Sequence, residues 1–411
     1  MGMTLIELVS QVQNASAFRR RRRLQPAGGT GDKLFPPTYP GEGRDSPPRH
    51  VFERRIINGQ QNWCVLIDSV QSQANRLEEA LLRAAEEARI ELPRLMVDFA
   101  PSGLNTIGTI SSLEAPHRVF DAILRDSQMD GVALSKSKLG EALRRATLRD
   151  ATAILEASPS ALLFGAWNST GEGGGVGAKF TRAIVSEIIG VDVPVKEMAP
   201  DRRTGEIEVR TAGRRTGSRI DPLGVLRSVE VFKGGSGWDI TATAAGKGAK
   251  PVRPSEVNHG NIVPSVTSLG VTCAYAEQTA VITLAGLRRL RFGGAPARDS
   301  AARAMIAALG LVALVEQDMQ GYALRSRCDL VCDGPSPLEV VAFDGTVTTI
   351  VLTRDDVVAL YREAVAAARA VGFNLDATPV RLLPQEKLIH IVRESMNKAL
   401  ADEAEDDDAG G

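Results

Sequence analysis

Cysteine and histidine are scarce, four of each in 411 residues. Cys64, Cys273, Cys328 and Cys332 are too few and too scattered to staple a chain of this size, which points to a reducing, cytoplasmic setting. Cys328 and Cys332 have no second Cys or His pair nearby, so no zinc site is expected. No H-E-x-x-H, G-x-S-x-G or kinase signature occurs, and no two carboxylates pair in sequence as a general acid and base. Neither a metal, nor a cofactor, nor an enzymatic activity is expected. No apolar run reaches the roughly twenty residues of a membrane span. The start, MGMTLIELVSQVQ, is too acidic and too broken for a signal peptide. Aromatic residues make up only 4%, so the stacking platforms of ordinary single-strand readers are in short supply. Net charge is −1. A case for nucleic acid must therefore rest on local clusters.

Glycine is plentiful, and five glycines fall in Gly171 to Gly177. Before them Ala161 to Trp167 is an apolar run of strand length. After them Ala178 to Ile189 has apolar residues at helical spacing, with Lys179 and Arg182 early in it. Strand, glycine loop and helix with early cations would turn backbone N–H groups toward a phosphate. Two familiar motifs fail here. A P-loop needs Gly before its lysine and Ser or Thr after it; this chain has Ala178 and Phe180. A dinucleotide fingerprint needs its glycines directly after the strand, and Asn168 to Thr170 intervene. What remains is a loop suited to a phosphate, including one in a polymer backbone.

The N-terminal segment reads as a helix over Thr4 to Phe18, followed by five arginines, Arg19, Arg20, Arg21, Arg22 and Arg23, and a Pro/Gly-dense stretch to His50. The arginines fit either a solvated charge run or an arm that binds phosphates. Trp63 to Asp68 reads as a buried strand and Ser69 to Ala88 as a helix. The first turns of that helix carry Gln71, Ser72, Gln73, Asn75 and Arg76. These could bond phosphates, sugars or base edges; the alternative is capping plus a solvated face. Strands are expected at 95–99, 324–331 and 338–343, with a strong one within 266–292. Helices are expected at 118–125, 137–157, 300–320, 354–371 and 385–401. Between Asp192 and Pro264 arginines crowd among glycine turns, which reads as an inserted β-rich lobe with a basic face. It ends in a loop with Asn258, His259 and Asn261. The acidic tail after Ala401 is expected to lack structure.

Four separated blocks, LQPAGGTGDKLFPPTY (Leu24 to Tyr39), VLIDSVQSQANRLEEAL (Val65 to Leu81), ALLFGAW with GAKFTRAIVSEIIG, and RPSEVNHGNI (Arg253 to Ile262), resemble one family in order. It is the backbone subunit of the type I-G (formerly I-U) CRISPR Cascade effector complex, in the RAMP group. The resemblance implies an α+β fold: a modified RRM-like or ferredoxin-like palm, an antiparallel sheet backed by helices, with large insertions including a β-rich thumb-like lobe. On that reading residues 1–60 form the N-terminal helix, basic run and arm, and 61–191 the first part of the palm. Residues 192–264 are then the thumb-like lobe, 265–401 the second part of the palm, and 402–411 the tail. Trp63 to Asp68 would be the first palm strand.

The family further implies copies polymerised along a CRISPR guide RNA, which pairs with invading target DNA. Its partners are neighbouring copies, a large subunit, a repeat-processing subunit and a recruited helicase–nuclease, with no membrane and no cleavage by this chain. Gln71, Ser72, Gln73, Asn75 and Arg76 would face RNA, and Lys179 and Arg182 would touch phosphates. Lys33 and the arginine run would belong to an arm on RNA or the next subunit. Asn258, His259 and Asn261 would sit near the thumb or the subunit joint. The rival is a metal-dependent ribonuclease that cuts guide-paired RNA, with Asp201 or Asp239 as its acid.

Overall fold

The structure is a computed structural model and describes residues 2–41, 48–168, 178–198, 208–219, 222–226, 228–260 and 262–409; of 219, 262–264 and 399–409 it describes the backbone alone. Helix α1 (Leu5–Asn14) opens with a reciprocal capping box between Thr4 and Glu7, and buries Leu8 and Val12. It ends sooner than its apolar spacing predicts. The chain passes directly into strand β1 (Ala15–Pro26), so the arginine run is not an arm.

Eight further strands join β1. They are β2 (Phe52–Ile57), β3 (Gln60–Asp68), β4 (Ile184–Val191), β5 (Tyr275–Thr283), β6 (Tyr322–Ala323), β7 (Asp329–Cys332), β8 (Leu338–Ala342) and β9 (Val347–Ile350). The sheet order is β6-β7-β1-β5-β4-β3-β2; β8 also pairs with β1, and β9 with β8. Every ladder in it is antiparallel. Helices α2 (Val70–Glu86), α3 (Pro296–Gln320) and α4 (Arg354–Ala370) back the sheet, α3 packing on both others. The middle of α3, Ala304 to Leu314, is buried throughout, which explains why so little of it is polar.

Setting aside the β2–β3 hairpin, the path β1–α2–β4–β5–α3–β7/β8 has the spatial order β7/β8-β1-β5-β4. That is the β-α-β-β-α-β ferredoxin-like arrangement, the expected palm. Its first strand is β1, not Trp63 to Asp68. The latter lies in β3, in a hairpin added beyond β4 at the far edge. The cause is the composition of β1: five arginines conceal a period-two strand whose core-facing positions include Phe18, Leu24 and Pro26.

The glycine-rich stretch is also corrected. Ser160–Phe164 is a short helix and Ala166–Trp167 a short strand that pairs with Lys179–Phe180. The expected helix after the loop is largely β4. Ile184, Ser186 and Ile188 are buried at every second position, and its β-branched residues suit a pleated surface. Among the described residues no helix directly follows the loop, and Gly171 to Gly177 lie outside the described residues.

The helices expected at 118–125 and 137–157 are each broken in two, and 324–331 contains only the start of β7. A second sheet of five strands lies at Leu95–Asp98, Thr109–Ser111, Ser127–Met129, Val132–Ala133 and Val380–Pro384. The final helix α5 (Glu386–Ala409) continues into the tail expected to be unstructured.

Between β4 and β5 in the chain, Thr211–Gly270 belongs to a second compact unit. It contains a ladder of Arg215–Arg219 with Ile262–Thr267 and a three-stranded sheet of Val231–Gly234, Gly237–Asp239 and Lys250–Val252. The expected β texture of the lobe is present. At its ends the Thr211 hydroxyl donates to the Gly270 carbonyl at 2.5 Å. A Cβ on Gly213 would collide with that same carbonyl, which is why glycine stands there. Among the described residues no helix is long and apolar enough to cross a membrane.

Candidate nucleic-acid interface

Strand alternation divides the arginine run in two. Arg20 and Arg22 point to the helices. Arg20 is 4% exposed, and its guanidinium meets Asp318 of α3 at 2.6 Å and Gln278 of β5 at 3.0 Å. Arg22 meets Asp318 at 2.8 Å. Arg19, Arg21 and Arg23 project from the opposite face, opposite Val281, Thr279 and Glu277 of β5. Successive members of this row stand about 7 Å apart, two strand residues. Glu339 of β8 pairs with Arg19 and lies 4.0 Å from Arg21, whose side chain remains 54% exposed. Arg23 stacks 3.7 Å over the Tyr275 ring.

Tyr275 continues this face toward β4 and β3, packed against Cys64, Ile189 and Val191. Arg55 adds a further cation on the β2 side, held by Glu53 and Glu187. Its charge-assisted bond to Glu187, opposed by burial, raises its already high pKa, so it is permanently charged. The face thus offers cations in a row with one aromatic ring among them. Guanidinium groups and an aromatic ring are the chemistry that can contact a sugar–phosphate chain and a base.

The start of α2 departs from expectation. Gln73 is fully buried. Its amide donates to Asp68 at 2.7 Å, and its carbonyl accepts from Gln278 at 2.8 Å and from Ser186 at 2.9 Å. Arg76 donates to the same Asp68 at 2.9 Å and to the Leu324 carbonyl at 2.7 Å. Gln278 also donates to Gln317 and accepts from Arg20, so Asp68, Gln73, Gln278, Arg20 and Asp318 form one polar network beneath the sheet. Gln73 and Arg76 therefore cross-link the palm; Gln73 is fully buried and Arg76 half-buried, where exposed residues were expected. Their polarity is used inside because α2 covers the palm where polar side chains of β4 and β5 point inward. Gln71 and Asn75 are exposed, Ser72 is half-buried, and Ser69 caps the helix.

At the glycine loop, Lys179 is exposed and its ammonium lies 5.6 Å from the ring of Trp167, itself 55% exposed. Arg182 is half-buried near Arg118 and Glu78; burial and then Arg118 lower its pKa. The Arg118–Glu78 pair is bidentate, at 2.6 and 2.7 Å, and Arg118 also donates to the Gly165 carbonyl. Asn168, at the loop's start, lines a cavity of about 480 Å³ with Arg125, Lys136, Arg144 and Lys387. Lys33 is half-buried in the turn after β1, one residue before the Leu34–Val271 bridge.

In the second unit, Asn258 ends a 3₁₀ turn in the left-handed conformation and is exposed. His259 meets the Trp238 ring edge-on at 5.3 Å. Asn261 and Asp201 lie outside the described residues. Asp239 accepts from the Thr241 N–H just before a short helix, and no cluster of three or more metal-ligating side chains occurs among the described residues. The arginine row and the Trp167–Lys179 pair belong to the first compact unit, and the Trp238–His259 pair to the second. Sequence reasoning overlooked Tyr275, Trp167 and Trp238. The one signal was that each stands near a basic or glycine-rich stretch.

Residues 18–195, from within β1 to just past β4, match the family model described as CRISPR-associated protein GSU0053. This region belongs to a CRISPR-associated family. The arginine row, α2 and the Trp167–Lys179 pair all fall inside the CRISPR-associated region. Tyr275 and the RPSEVNHGNI block fall outside it. No curated protein matches the chain. The family of this region supports a role in CRISPR defence.

Proposed function

We propose that this chain is an RNA-binding backbone subunit of a Cascade-type CRISPR effector complex, of the type I-G kind. The guide RNA lies along the face of the palm away from the helices. Arg19, Arg21 and Arg23 hold its phosphates and Tyr275 stacks against a base. Lys179 and Trp167 form a second grip beside the glycine loop. The row of three arginines on one open palm face, within a CRISPR-associated region, carries this reading. With sequence recognition left to base pairing, the protein needs backbone contacts and few aromatics, which fits its composition.

Copies of the chain line up along the guide in the cytoplasm, and the insertion between β4 and β5 serves as the thumb. Target DNA is held through the guide. The large subunit, the repeat-processing subunit and a helicase–nuclease complete the assembly, and this chain cuts nothing. Co-expression with a CRISPR array and purification tests the proposal. Bound RNA of one uniform length, in complexes with several copies of the chain, is the expected result. A nucleic-acid-free monomer would contradict it. Site-specific cutting of complementary RNA in magnesium, lost on Asp239→Ala, would make the chain a nuclease instead.

A further inference from the structure

A second cationic site lies on the other side of the sheet. Arg20, Arg22, Leu314, Asp318, Ser336 and Arg354 are among the residues that line a cavity of about 440 Å³ between β1, α3 and the start of α4. Three arginines line it, against the single carboxylate residue Asp318. Arg354 is bound to Glu316 at 2.7 Å, but Arg20 and Arg22 share Asp318 between them, which leaves one positive charge over. The Nε atoms of both Arg20 and Arg22 are buried with no hydrogen-bond partner, and Arg20 is itself 4% exposed. A buried guanidinium N–H without an acceptor is costly and calls for one.

The N-terminus of the 17-residue helix α4 opens at the same cavity, with Thr353 and Arg354 in its lining. Its dipole adds positive potential there, reduced by Asp355 and Asp356 in its first turn. Cys332, whose sulfur accepts from Arg22 at 3.0 Å, and leucine, valine and methionine side chains form the remaining walls, and the volume falls in the range of about 300–1,000 Å³ usual for small-molecule sites.

We propose that this cavity binds a small organic phosphate, a phosphate ester with a body less polar than its phosphate, such as a mononucleotide. The phosphate meets Arg20, Arg22 and the start of α4, and the body lies against the apolar wall from α3. The site is on the helix side of β1 and is separate from the row of Arg19, Arg21 and Arg23. It does not depend on the RNA-binding reading.

Calorimetric titration of the full chain with adenosine monophosphate, and in parallel with inorganic phosphate, tests it. One saturable site is expected for both, tighter for the nucleotide because the apolar walls add to binding. Arg22→Gln should weaken both by about tenfold or more, as expected when a charge-assisted hydrogen bond is removed. Ser336→Trp, which crowds the lining without changing a charge, should abolish nucleotide binding. Near-UV circular dichroism of each variant checks the fold, and if Arg22→Gln fails to fold, Ser336→Trp decides alone. Absence of saturable binding, or binding unchanged in Ser336→Trp, overturns the proposal. So does binding abolished instead by replacing Arg19, Arg21 and Arg23, or N-acetylglutamate binding as well as the nucleotide.

Discussion

Arg20 and Arg21 are neighbours in one strand and live in different solvents. Arg20 is buried beneath the sheet, anchored by Asp318 and Gln278. Arg21 stands half in water on the opposite face, with Glu339 only at 4.0 Å. The same guanidinium is structural on one face and available on the other, because a strand sends successive side chains to opposite sides. A run of like charges is therefore not one functional unit. On the helix side, Arg20 is anchored in a network that spans β3, β5, α2 and α3. On the open side Arg21 keeps its side chain more than half exposed.

The largest effect should come from the helix side. Arg20→Met removes a buried ion-pair partner and strands polar atoms of Asp318 and Gln278. A loss of about 3 kcal/mol or more in urea unfolding is expected; stability within error of the parent would mean the network contributes nothing. Second is the open side. Replacing Arg19, Arg21 and Arg23 together by Gln should leave the unfolding midpoint within a few degrees of the parent. It should make the dependence of RNA affinity on salt shallower, by a log–log slope of about 2, at roughly 0.7 for each phosphate no longer neutralised. An unchanged slope would remove the row from the interface.

The smallest effect should be a pH signature confined to the helix side. Burial pushes the Glu316 carboxyl up, but Arg354 and Arg89 pull harder, so it lies below the usual carboxylate range. A carboxyl depressed on folding stabilises the native state above its unfolded value, and that contribution fades as pH falls through the folded value. Thermal melts of Glu316→Gln against the parent should therefore differ most at neutral pH and converge in acid. A gap that widens in acid would reverse the sign.

The sequence disclosed those elements whose periodicity is plain. The strand through Trp63 to Asp68, the helix capped by Ser69 and the covering helices α3 and α4 all stood out by apolar spacing. It concealed β1, because the acceptor that makes Arg20 a core residue is Asp318, almost three hundred positions away. It misled at Ala161 to Ile189, where short apolar runs fit helix and strand alike, and where Ser160–Phe164 and β4 took the opposite forms to those expected. The polar turns of α2 divided for the same reason: Gln71 and Asn75 stayed in water, while Gln73 found partners on β4, β5 and α3. Of the interface, the arginines were visible in sequence. Tyr275 was not, since only the β1–β5 register brings it beneath Arg23.

Ultraviolet crosslinking of the RNA-loaded protein, followed by identification of the crosslinked peptides, asks most directly which face holds the nucleic acid. Adducts at Tyr275 and at Trp167, with none in α3 or α4, are the expected result. Adducts confined to the helix side, with Tyr275 unmodified, would contradict it.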